Sequence, residues 1–316
     1  ELVRGTEQKA EFLRAEGLFH PRLRCGGGSV QAALTLAHVP ILELRKQMIS
    51  HKPSETTKVG VIFPVSDVAK FPYELIDDEF VSSWLAAHGL NAEYISAHTP
   101  DGDYVNYQSK LEYCEYLARE DILAAAARSL KEKGCDSMVW ACTSASFFKG
   151  LLYAQHQVRL LSENSGVPAT STSMAFLAAL GVLGAKKVDI MLPYVPEIAK
   201  TLVSFLEEGG IRVGTVWHMK RRGGGRAFEM DSEAELSEFV SSMPVSNDPI
   251  VMPCTSISSL NRVEMFEKIS GRPILTANQV SLWHGLVLAG ATPRILNAGS
   301  FLKVCAVERY EGPQFP

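Results

Sequence analysis

Two stretches of the chain share one hydropathy design. Lys58-Val-Gly-Val-Ile-Phe-Pro64 and Lys187-Val-Asp-Ile-Met-Leu-Pro193 are near-continuous apolar runs that end on proline. Runs of this length and pattern predict parallel strands buried on both faces. Proline ends the ladder because it has no N–H to donate. A second strand pattern follows each, at 92–97 and 211–217. A third comes at 137–141 and 249–253, and a fourth at 166–171 and 271–276. Helical patterns lie between them: 121–133 and 233–242, with charge on one face, and the strongly apolar 171–183.

The order is β-α-β-α-β-α-β, written twice. It predicts an α/β fold of two pseudo-symmetric lobes, each a parallel four-stranded sheet flanked by helices with right-handed crossovers. Ligands of open α/β sheets bind beyond the carboxyl ends of the strands, so the active site is expected in the cleft between the lobes. The expected divisions are an N-terminal helical extension at 1–55, a first lobe at 56–169 with 277–316, and a second lobe at 170–276. In the extension, helices are expected near 7–15, 29–37 and 40–49, broken by Cys25-Gly-Gly-Gly28; no chemistry attaches to them. Pro64 to Cys142 spans 78 residues and Pro193 to Cys254 spans 61, so the first half carries extra chain, assigned to a loop at 99–107. Its counterpart is 221–226, where Arg221, Arg222 and Arg226 flank three glycines. That segment reads as a basic loop over an anionic substrate or as a plain hairpin tip.

The chemistry sits after the third strand of each half. Cys142-Thr-Ser-Ala-Ser146 and Cys254-Thr-Ser-Ile-Ser258 repeat one pattern. A cysteine where a buried strand ends, followed by hydroxyls and backbone amides, suits thiolate chemistry, since the thiolate is the nucleophile. A helix amino terminus behind each cysteine is expected to lower its pKa. The candidates are Cys142 and Cys254 as catalytic groups, with Pro64, Asp67, Thr143, Ser144, Tyr194, Thr255 and Ser256 around the substrate. Each has a bland competitor: a cysteine after an apolar strand is commonly a small buried hydrophobe, and Asp67 also suits a helix cap. Asn278 is expected to orient the loops behind the site. Cys25, Cys114, Cys135 and Cys305 lack such flanks and are read as packing or surface residues. Trp283 and His284 are read as core.

Composition narrows the partners. In 316 residues, 46% are hydrophobic, 21% are charged and the net charge is −4, which describes a soluble globular protein with no basic footprint for nucleic acid. The longest weakly polar stretch, 30–42, is too short and too polar to span a membrane. Six scattered cysteines without Cys-x-x-Cys predict reduced thiols, and the opening residues carry no signal-peptide pattern. A cytoplasmic homo-oligomer, taken as a dimer, is expected. The eight histidines show no ligand spacing, so neither a metal nor a cofactor is expected.

Ile62-Phe-Pro-Val-Ser-Asp67, Ala141-Cys-Thr-Ser-Ala-Ser146, Leu192-Pro-Tyr-Val195, Pro253-Cys-Thr-Ser256 and Thr276-Ala-Asn-Gln-Val-Ser-Leu-Trp283 together resemble the aspartate/glutamate racemase superfamily. The nearest branch is the one holding maleate cis-trans isomerase and arylmalonate decarboxylase. The resemblance runs from about Val59 to Phe301. It implies two pseudo-symmetric lobes, no cofactor, and catalysis between them on a small carboxylate or dicarboxylate. Isomerases and racemases of this group resemble the chain in having both cysteines; the decarboxylase has glycine at the first. The isomerases usually carry asparagine where this chain has Asp67. The expected function is a cis-trans isomerase of maleate or a related cis-butenedioate through covalent cysteine addition. The alternatives are an amino-acid or hydantoin racemase using both thiols as acid and base, and an arylmalonate-type decarboxylase. A two-lobed binding protein is the reading from another class.

Overall fold

Parallel pairing organises the chain into two sheets of four strands. The computed structural model describes residues 56–65, 72–102, 107–220, 227, 229–243, 245–293 and 295–305. The extension expected at 1–55, Asp67 and the basic segment 221–226 lie outside the described residues. All described residues fall within one compact unit, Met48–Pro316.

The first sheet holds β1 (Thr57–Pro64), β2 (Ala92–Thr99), β3 (Ser137–Trp140) and β4 (Ala169–Ser171), in the order β2-β1-β3-β4. The second holds β5 (Lys187–Leu192), β6 (Arg212–His218), β7 (Ile250–Met252) and β8 (Ile274–Thr276), in the order β6-β5-β7-β8. The orders match, and the expected pair of parallel four-stranded sheets is present. Register fixes the shared rim: Ile62 stands beside Trp140 and Trp140 beside Ser171. In the second sheet Met252 stands beside Thr276. The ends of β3 and β7 therefore occupy equivalent central positions.

The helices are α1 (Asp78–Ala87), α2 (Lys110–Leu117), α3 (Glu120–Glu132), α4 (Thr143–Phe147), α5 (Leu151–Ser165), α6 (Thr172–Val182), α7 (Pro196–Glu208), α8 (Ser232–Ser241), α9 (Val263–Ser270), α10 (Ala277–Leu288) and α11 (Ser300–Cys305). Among the described residues none is long and apolar enough to cross a membrane. Caps repeat between the halves. Ser171 closes β4 and caps α6 by accepting from the Met174 N–H; Thr276 closes β8 and caps α10 by accepting from the Gln279 N–H. Gly166 and Gly271 end α5 and α9 in the left-handed conformation that glycine adopts without a Cβ penalty.

α6 and α10 carry apolar residues on all sides, the signature of helices buried between layers. They pack on each other, joined by Thr172 and Ser281 hydroxyls 2.7 Å apart. α10 follows the second sheet in sequence yet covers the first. Its Gly285 carbonyl accepts from the Ser137 hydroxyl at 2.7 Å. A Cβ at Gly285 would stand 2.7 Å from Val59 Cγ1 and 2.8 Å from Val139 Cγ2, so the close approach needs glycine. His284 is buried, shares a 2.9 Å contact with the Thr170 hydroxyl, and is pushed down to about 4 by desolvation. That is a core histidine, as its sequence context implied. The second lobe also buries an ion pair, Arg272 with Asp189 at 2.6 Å.

The extra length of the first half differs from the expectation. Beyond the loop expected at 99–107, of which 103–106 lie outside the described residues, the chain builds a further helix, α2, to which the sequence reading assigned nothing. Ser109 caps it by accepting from the Glu112 N–H at 3.1 Å.

Candidate active site

Cys142 follows β3 and Cys254 follows β7, so the matched strands bring two thiols to matched rims. Both are nearly covered, at 8% and 5% exposure. The sulfurs are close enough that charge on Cys254 raises the pKa of Cys142.

The expected lowering of their pKa values does not occur. Burial pushes the Cys142 thiol up to about 12, against smaller help from the Ala145 N–H and the Ser144 hydroxyl. Burial likewise raises Cys254, opposed by the Ser256 hydroxyl and N–H, the Tyr194 hydroxyl and the Lys110 ammonium. The reason lies in the following backbone. α4 after Cys142 has only five residues, too short for a strong dipole, and Cys254 is followed by turns rather than a helix. Desolvation wins and both resting thiols are neutral.

Tyr194 spans the lobes. Its hydroxyl donates to the Pro253 carbonyl at 2.9 Å, directly before Cys254. Its ring stands 6.1 Å from that of Phe147 in α4. Burial holds the phenol protonated, well above its ordinary range, and both thiols add to that effect. The Thr143 hydroxyl is buried and faces the Tyr194 hydroxyl. Thr255 and Ser256 are buried beside Cys254, with Ser256 Oγ 3.0 Å from its sulfur. Ser144 is half-buried against Cys142. Pro64 is half-buried at the end of β1, the strand that pairs with the one preceding Cys142.

Behind Cys254 the lobes are latched. The Glu74 carboxylate, from a single 3-10 turn (Glu74–Ile76) before α1, accepts from the N–H groups of Ser259 at 2.8 Å and Leu260 at 3.2 Å. Asn278 donates to the same carboxylate at 2.7 Å and to the Ile257 carbonyl at 3.1 Å. Asn278 therefore orients the loop after Cys254, in line with its sequence reading.

Sequence reasoning missed α2. Its Lys110, Tyr113 and Cys114 belong to the thiol cluster: Cys114 raises the Cys142 pKa and shares the Ser144 hydroxyl with it. Cys114 is a packing residue, as its sequence context implied, and it also stands beside Cys142. The available signal was Ser109-Lys-Leu-Glu112, a serine followed three residues later by glutamate, which marks a helix start.

Two parallel lobes, each offering a cysteine from the end of its third strand, define a two-lobed α/β enzyme. The chain belongs to the arylmalonate decarboxylase family, whose model matches residues 109–302. Among curated relatives, arylmalonate decarboxylase of Bordetella bronchiseptica is 24% identical over 166 residues, which are 52% of this chain and 69% of that protein. Maleate isomerase of Geobacillus stearothermophilus is 27% identical over 183 residues, 56% of this chain and 72% of that protein. Among solved structures, a cysteine-to-serine variant of Nocardia farcinica maleate cis-trans isomerase with a covalently bound succinylcysteine intermediate superposes with a TM-score of 0.65 at 19% identity, covering 78% of this chain and 98% of that one.

Proposed function

We propose that this protein is a cofactor-independent cis-trans isomerase of maleate or a close cis-butenedioate, working in the cytoplasm. The observation that carries the reading is the pair of coupled thiols, Cys142 and Cys254, with Tyr194 between their lobes. The Cys142 sulfur attacks one olefinic carbon. A carbon–sulfur bond forms while the π pair moves toward the adjacent carboxylate as an enediolate-like species. Donors already in place hold that charge: the Tyr194, Thr143 and Ser256 hydroxyls and nearby backbone N–H groups. Cys254, opposite, gives its proton to the neighbouring carbon and takes the one that leaves the Cys142 sulfur, so the thiol has added across the double bond. The central bond is then single and turns by half a revolution. In the reverse exchange Cys254 takes the carbon-bound proton and returns its own to the sulfur, as the double bond re-forms, the carbon–sulfur bond breaks and the trans product leaves. The succinylcysteine of the Nocardia protein supports a covalent route of this kind.

The family model and the Bordetella relative support a second reading, decarboxylation of a disubstituted malonate. It needs a single thiol as proton donor and leaves Cys142 without a task. Proton NMR of maleate, aspartate and phenylmalonate with the protein in heavy water separates the options. Conversion of maleate to fumarate is expected. Deuterium at the aspartate α-carbon, or loss of carbon dioxide from phenylmalonate, with maleate untouched, overturns the isomerase reading.

A further inference from the structure

One face of α2 is unused by the mechanism above. Lys110, Tyr113 and Cys114 stand at i, i+3 and i+4, on one side of the helix. α2 packs on α4, which opens directly after Cys142, and on α7 of the other half. The Lys110 ammonium lies over the Tyr113 ring, 4.2 Å from its centre. Cys114 is fully buried one turn further on, against the Ser144 hydroxyl that also touches Cys142. The Lys110 ammonium feels charge on Cys114 first, then on Cys142 and Cys254, which puts it in reach of both reacting thiols. At the start of α4 the Thr143 hydroxyl is buried and faces the Tyr194 hydroxyl.

We infer that Lys110, seated on Tyr113, is an anion anchor of this site: it takes one carboxylate of a dicarboxylate while Thr143 and Tyr194 take the other. The substrate class follows from the chemistry. A partly desolvated ammonium gains from a carboxylate more than from any neutral group, because the charge-assisted bond offsets its own burial. A long flexible stem lets the ammonium follow the carboxylate as the central bond turns. A monocarboxylate fills only one of the two holds and binds less well. The inference borrows from the isomerase reading only the choice of a four-carbon diacid.

The test avoids turnover, so its outcome is separable from that of the NMR assay. Alkylation of Cys142 and Cys254 by iodoacetamide is followed at pH 8 by peptide mass spectrometry, in the intact protein and in its K110M, K110Q and K110R variants. Succinate, a saturated diacid that cannot react, and butyrate, its monoacid counterpart, serve as protectants. Other groups that titrate around this face are Glu197 of α7, Asp101, Tyr73 and Tyr194; they are common to all variants at one pH. K110M and K110Q should slow alkylation about three- to tenfold, the size of one displaced charge at this range. Succinate should protect the parent at roughly tenfold lower concentration than butyrate and lose that advantage in K110M and K110Q. K110R should restore both. Unchanged alkylation with unchanged succinate protection in folded K110M and K110Q overturns the inference and leaves Lys110 as a strut on Tyr113. Failure of succinate to protect the parent overturns it as well.

Discussion

In the resting enzyme the Cys142 thiol should hold its proton far above neutrality. Its pKa is pushed from an ordinary 9.0 to about 12 by burial, with Cys114 and Cys254 adding to the effect. Three units correspond to about a thousandfold less thiolate at pH 7, or roughly 4 kcal/mol. The measurement is the second-order rate of iodoacetamide alkylation of Cys142 from pH 7 to 10, read by peptide mass spectrometry. The same protein in denaturant is the reference and should level off near pH ~8.5, the value of a free thiol. The native rate should instead climb about tenfold per pH unit through the whole range. Restricted access lowers the absolute rate, so the shape of the curve decides. A native plateau below about pH 9.5 would mean that burial does not dominate here, and that a donor stronger than the Ser144 hydroxyl or the Ala145 N–H stabilises the thiolate.

The same shifts have a cost in stability at high pH. Cys114 and Cys135 are raised to about 11 and Cys142 to about 12, so in each case the folded value lies above the unfolded one. Such groups stabilise the fold fully below pH ~9 and lose that contribution as pH rises toward their folded values. Urea denaturation should show a loss of about 3 kcal/mol between pH 8 and 10, most of it from Cys114 and Cys142, with solvent screening reducing the share of Cys135; a flat profile refutes the shifts. Tyr194→Phe removes the 2.9 Å bond to the Pro253 carbonyl while keeping the ring against Phe147. Turnover should fall by about ten- to a hundredfold with the melting temperature within a few degrees of the parent; an equal loss of stability would make Tyr194 a structural residue. Asp189→Asn breaks the buried pair with Arg272, leaving a buried cation unpaired. Denaturation should show a loss of about 3 kcal/mol, and an unchanged midpoint would show that Arg272 finds another acceptor.

The central strands β1, β3, β5 and β7 were readable because they are short, largely buried apolar runs, and the paired Cys-Thr-Ser patterns marked the ends of β3 and β7. α2 was not. Its sequence, Lys-Leu-Glu-Tyr-Cys-Glu-Tyr-Leu, interleaves charged and apolar residues and so shows little apolar stripe, although Cys114 and Leu117 are buried in the core. Cys114 therefore looked like scatter. The Glu74 latch was hidden for another reason: its partners Ser259 and Asn278 lie 185 and 204 residues away, and no local pattern encodes a contact at that range. The direction of the thiol shifts was misread because a strand-end cysteine suggests a helix dipole. The sequence does not show that α4 ends after five residues or how thoroughly both halves exclude water.

The return of α10 to the first sheet also sets a schedule for synthesis. Val59 and Val139 are covered only when Gly285 arrives, 226 residues after Val59. At the usual ~5–20 residues per second, the apolar surface of the first sheet waits roughly ten to fifty seconds on the ribosome for its lid. Variants truncated before α10 should aggregate rather than yield a free-standing first half.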